Sequence, residues 1–170
     1  HLIDPHAELI LIVSAFETLL GSPNGKRDFS TKLLAAYRKA FPAVPPFEWK
    51  RELMPITDRP DDSPFGAWAF ELHHYRSKIA HGKSKKLDRT TWQDWEHLLI
   101  AGMLFPLLLK LQLAETKHYH LSQRDKKKLR ALEPILCAVE WDVSTEQGNH
   151  GNRWREIMWS ADFDLRHDTT

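Results

Sequence analysis

The stretch PFGAWAFELHHYRSKIAHG, Pro64 to Gly82, decides the fold. Phe65, Trp68, Leu72, Tyr75 and Ile79 recur at alternating three- and four-residue steps, which draws one apolar stripe along an amphipathic helix. Gly82 is placed to end that helix, because glycine takes the left-handed backbone conformation that closes many of them. The spacing predicts a helix over 65–81.

The end of the same stretch carries the candidate chemistry. Arg76 stays protonated and presents a planar fork suited to phosphate, while His81 exchanges a proton near neutrality. At 100° per residue, Arg76 lies roughly 60° from the centre of the apolar stripe and His81 nearly opposite it. The face they border holds Ala69, Phe70, His73, Ser77 and Ala80, a mix of small and aromatic side chains that predicts a second packing surface, against another chain. Packing on its own copy about a two-fold axis would bring two Arg76 and two His81 into one cleft. Eleven Arg and ten His in 170 residues place a His five positions after an Arg roughly 0.65 times by chance, so the surroundings must decide. The plainer reading of the pair is an ion-paired Arg76 and a His81 favoured by the helix macrodipole.

Outward from this stretch the chain reads as helices. Asp4 before Pro5 is a helix start, and Leu9, Ile12, Val13, Phe16 and Leu20 recur until Gly21. Phe29, Leu33, Ala36, Tyr37 and Ala40 form a second amphipathic pattern that stops before Pro42. Six of the ten prolines fall between Pro42 and Pro64, a long connection with room for one helical turn around Phe47 to Leu53. Asp61 and Asp62 there read as a polar turn.

Thr91 with Asp94 resembles a capping box, followed by a long apolar helix to about Ala114, bent at Pro106, that should be central. Ser122 with Asp125 repeats the signature before a fifth helix through Leu129, Leu132, Leu136 and Val139, with Pro134 a candidate break. We read residues 1–140 as an all-α bundle of four to five main helices. Residues 141–170 read as a polar tail packing on the bundle, with a helical turn at Trp154, Ile157 and Met158. No strand alternation and no internal repeat stands out.

With 24 basic against 23 acidic residues there is no global basic field, so any nucleic-acid site is a local patch. The single Cys137 forms no internal disulfide and fits a reducing compartment, the cytoplasm, as a small apolar filler. The most apolar run, Leu98 to Leu109, is short of the roughly 20 residues a membrane span requires. His1 opens the chain without a basic-then-apolar leader, which predicts a piece of a longer protein. A Gly-rich phosphate loop and a Gly-x-Ser-x-Gly elbow are both missing from the sequence.

Glu71 with His74, and Glu115 with His118, show the Glu-x-x-His spacing of di-metal carboxylate bundles. Glu71 and His74 lie off the apolar stripe, and no Cys cluster supports zinc. His73 and His74, being adjacent, read as surface or interface residues, with His73 near enough to Arg76 to tune it.

LIVSAFETLL with its embedded Glu17, the RSKIAHG that ends the motif helix, and the long apolar helix after it resemble the HEPN superfamily, specifically Apea-like HEPN domains. The family motif is an Arg, usually followed by a polar residue, then a His after a gap of four to six; Arg76, Ser77 and His81 match it. The resemblance covers roughly Pro5 to Val139. It implies an all-helical bundle acting as a dimeric, metal-independent endoribonuclease without a cofactor, the effector part of a bacterial anti-phage (abortive infection) protein whose N-terminal region senses the trigger. In it His81 would be general acid or base, Arg76 would bind the phosphate, and Ser77 would orient the Arg or bond the phosphate. His73, Lys78, Lys83 and Lys85 would border the substrate, and Lys83, Lys85 and Lys86 would extend a positive groove for the RNA backbone. Some relatives carry a Tyr two residues after the His; Lys83 stands there, so that regulation is not expected. A non-catalytic HEPN module that only dimerises or docks a partner is the alternative.

Overall fold

The computed structural model describes residues 4–22, 25–40, 59, 61, 63–82 and 90–137. Its first helix, α1 (Pro5–Leu20), begins where the Asp4 carboxylate accepts the His6 amide at 3.0 Å, and Pro5 costs nothing in a turn whose amides have no helical acceptor. It ends on Gly21 at φ 58°, and the next amide, of Ser22, reaches back to the Glu17 carbonyl at 3.0 Å. The second helix is α2 (Lys26–Ala40).

α3 (Pro64–Ala80) is capped by Ser63, whose Oγ accepts the Gly66 amide at 3.2 Å. Asp61 supports that cap by accepting the Ser63 amide at 2.8 Å and the Arg38 guanidinium at 2.7 Å. A Cβ on Gly66 would lie 2.7 Å from the Asp61 carboxylate, so the close approach of cap and helix requires glycine here. α4 (Asp94–Glu115) and α5 (Gln123–Cys137) complete five helices, and no strand occurs among the described residues. The all-α bundle is as the sequence predicts.

α3, not α4, takes the central place. It packs against α1, α2 and α5, and every residue from Phe65 to His73 is buried. The predicted stripe faces the core through Phe65, Trp68, Leu72 and Tyr75, with Ile79 half-buried at its end. Each such large apolar side chain contributes roughly 1.5–3 kcal/mol when fully buried. Tyr37 of α2 stacks on Phe65 at 4.3 Å and donates its hydroxyl to the Leu129 carbonyl at 3.2 Å, joining α2, α3 and α5. Cys137 is buried and free.

α4 lies parallel beside α1. His6 is 3.4 Å from Asp94 at one end, Gln112 donates to the Leu19 carbonyl at 2.8 Å at the other, and Phe16 meets Phe105 at 5.2 Å between. Its opposite side, with Trp95, Leu109 and Leu113, is exposed, so this apolar helix is half core and half surface. Among the described residues it is the one helix long and apolar enough to cross a membrane, and 39% of that apolar window is buried inside the bundle.

Two boundary expectations are corrected. The reciprocal cap of α4 is built by Gln93 and Glu96, not Thr91 and Asp94: the Glu96 carboxylate accepts the Gln93 amide at 2.7 Å. α5 is not broken at Pro134 but runs through it to Cys137, as α4 runs through Pro106. The Ser122 cap is as predicted, its Oγ accepting the Asp125 amide at 3.1 Å while Asp125 accepts the Ser122 amide at 3.0 Å. The turn at 47–53, the lysines 83, 85 and 86, and the tail 141–170 lie outside the described residues.

Candidate functional site

The C-terminal half of α3 is set in rotation by buried contacts. Glu71 is almost fully buried, and its Oε1 accepts the amides of Thr91 at 2.8 Å and Trp92 at 3.1 Å, tying α3 to the start of α4. One turn on, Tyr75 stacks on His97 at 5.9 Å and meets His6 edge-on at 6.4 Å. Burial and the neighbouring Asp94 carboxylate, which its hydroxyl hydrogen-bonds, push the Tyr75 pKa up, so the phenol stays protonated.

That rotation points His73 and Arg76 at Glu17 of α1. His73 Nε2 lies 2.9 Å from Glu17 Oε1, and an Arg76 Nη nitrogen lies 3.6 Å from Oε2. Burial lowers the His73 pKa; the Glu17 carboxylate opposes the shift, and Arg76 and Lys26 add to it. The ring is therefore neutral near pH 7, and a neutral ring facing a carboxylate presents its N–H, so Nε2 donates. Its Nδ1 is left buried without a partner, as is Arg76 Nε. The Arg76 side chain keeps 28% exposure.

His81 is the C-cap residue, exposed, its amide donating to the Ser77 carbonyl at 3.2 Å. Ser77 stands one turn below it on the same side, half-buried, and Gly82 at φ 65° ends the helix as predicted. Lys78 is half-buried. The helix end thus offers an anchored guanidinium, a hydroxyl and a solvent-facing imidazole within about one and a half turns. A guanidinium suits a phosphate and an imidazole can exchange a proton, although five positions of helix set these two about 140° apart around the axis.

The second face of α3 is corrected. Ala69, Phe70 and His73 are covered within this chain rather than by another one. Phe29 of α2 packs on His73 at 5.2 Å, and the Lys26 ammonium sits 4.8 Å from the centre of the Phe70 ring. Ser77, Ala80 and His81 are what remains open. His73, expected at the substrate, has a side chain only 6% exposed and holds Glu17 instead.

The Glu-x-x-His pairs do not assemble. Glu71 is a buried backbone clasp rather than an off-core residue, Glu115 pairs with Lys39 at 3.0 Å, and His118 Nδ1 lies 2.9 Å from Thr116 Oγ1. Among the described residues no three His, Cys, Asp or Glu side chains converge to hold a metal ion.

Glu17 was legible as one acidic residue at the edge of the α1 stripe, four positions after Val13. Lys26 gave no signal, since it reaches α3 from the first turn of a different helix. No family model, no curated protein and no solved structure matches the chain.

Proposed function

We propose that this chain is a metal-independent endoribonuclease domain of the HEPN type, acting through Arg76 and His81. The observation that carries the reading is the end of α3, where Glu17 anchors Arg76 at 3.6 Å and His81 stands exposed beyond it. The RNA 2′-hydroxyl attacks the adjacent phosphorus, its proton going to a His81 imidazole. The P–O5′ bond breaks, and the departing oxygen takes a proton from an imidazolium, leaving a 2′,3′-cyclic phosphate and a 5′-hydroxyl. Arg76 stabilises the charge that builds on the phosphate oxygens, and Ser77 orients it. A homodimer through the open end of α3 would let two His81 share the acid and base roles. The setting is the effector part of a cytoplasmic bacterial anti-phage protein with an N-terminal sensor.

The second reading is a non-catalytic HEPN dimerisation or docking module, in which the Arg76–Glu17 contact is an ordinary structural ion pair and the exposed His81 does no chemistry. Cleavage of single-stranded RNA in excess EDTA separates the two. The nuclease reading expects cleavage by the wild type and a loss of about 100-fold or more in His81→Ala with the helical content retained. Equal cleavage by His81→Ala overturns it.

A further inference from the structure

Phe70, His74, Lys78 and His81 follow one another at steps of four, four and three residues, so they share one side of α3. Lys26 of α2 joins that side, its ammonium 4.8 Å from the Phe70 ring centre. Lys32, Lys39 and Lys110 each sit in an ion pair, but no carboxylate among the described residues pairs with Lys26 or Lys78. His74 is half-buried, one turn before Lys78 on α3, and lies within electrostatic reach of both cations. Burial first, then Lys26 and Lys78, hold its pKa down against the smaller opposing pull of the Glu71 carboxylate, so it presents a neutral ring.

Two ammonium groups with no ion-pair partner among the described residues, one from α2 and one from α3, beside a neutral ring on the side of α3 that leads to an exposed imidazole, have the chemistry of a single-strand groove: cations for the backbone and a π-face for a base. From Phe70 to His81 the helix rises about 16 Å, the length of on the order of four stacked nucleotides.

We propose that this side of α3 is the binding track for the strand flanking the scissile phosphate, in which Lys26 and Lys78 contact phosphates and His74 stacks on a base. The assignment rests on the nuclease reading. It moves the histidine contact from His73, which is buried, to His74, and adds a residue from α2. The partner is single-stranded RNA, whose unpaired bases expose the faces a ring can stack on.

The test uses the full chain. Binding of an eight-nucleotide single-stranded RNA is titrated from low to moderate salt on a His81→Ala background, with Lys26→Ala/His74→Ala and Lys26→Ala/Lys78→Ala added. Cleavage of the same octamer is measured with His81 intact. The expected results are a KM for the octamer raised about tenfold with kcat largely kept, and a loss that shrinks on a dinucleotide substrate. The salt slope should flatten by about 1.4 when both lysines are removed, about 0.7 for each phosphate left without its lysine. Lys26→Arg should keep the affinity, which separates charge from folding. Unchanged octamer affinity and slope in both double variants, with the wild type active, overturn the track and leave the nuclease reading standing. A wild type that neither binds nor cleaves the octamer removes the nuclease reading and the track with it.

Discussion

The carboxylate of Glu17 on α1 accepts a hydrogen bond from the His73 imidazole of α3 at 2.9 Å. This single contact fixes the carboxylate that faces Arg76, and it does so from inside the bundle. Glu17→Ala should cost about 1.5–3 kcal/mol of stability, the range for a hydrogen bond with a charged partner, as read from the urea midpoint. On the proposed nuclease reading it should also lower RNA cleavage while leaving the helical content intact. Full activity in this variant would show that Arg76 needs no anchor.

His73 makes stability depend on pH. Its pKa is lowered in the fold by burial, so the unfolded chain binds the proton more readily. The stabilising term is complete above the ordinary histidine value of about 6.5 and is lost as pH falls below it toward the folded value. His73→Gln should flatten that part of the stability profile. Because Glu133 pulls the other way over part of this window, the check is the difference between wild type and variant: a His73→Gln protein that loses as much stability as the wild type below about pH 6.5 would contradict the assignment.

Glu133 on α5 gives the opposite sign at its own site. Burial first, with a smaller push from Asp61, raises its carboxyl to about 7, against the pull of the Phe65 amide and Arg38. The fold therefore binds this proton more tightly than the unfolded chain, and stability falls as pH rises from about 4.5 to about 7. Glu133→Gln should raise the melting temperature at pH 8 and do little at pH 4. Thermal unfolding of both proteins at the two pH values checks it.

Gly66→Ala tests the start of the motif helix. The new Cβ would meet the Asp61 carboxylate at 2.7 Å and push it away from Ser63 and Arg38. We expect a loss of about 1–3 kcal/mol, typical of overpacking a close contact, measured by chemical denaturation. A neutral result would mean that the cap relaxes freely.

The helix ends were legible wherever a side chain acts on its own backbone. Asp4 with Pro5, Gly21, Gly82, and Ser122 with Asp125 are local chemistry, and they stand where the sequence puts them. The α4 cap was missed because a Gln at the cap position is a weaker signal than the Thr91 beside it. The face of α3 holding Ala69, Phe70 and His73 was assigned to another chain for a different reason. A helical wheel shows that a face is apolar but not which element covers it, and here α1 and α2 reach it from the same chain. Arg76, Ser77 and His81 lie close together in sequence and could be singled out. Lys26 meets its partners 44 positions away, from 26 to 70, where no local pattern points to it.

The Glu71 clasp has a mechanical meaning. With Thr91 and Trp92 hung on one carboxylate and Tyr75 stacked on His97, α3 is a fixed shaft as far as Tyr75. Arg76 leaves the shaft held by Glu17, whereas His81 stands on the last turn with its side chain in solvent. A ligand arriving there would meet a cation paired to the bundle and an imidazole on a short lever, so adjusting the proposed site would mean moving one helical turn rather than rearranging the bundle.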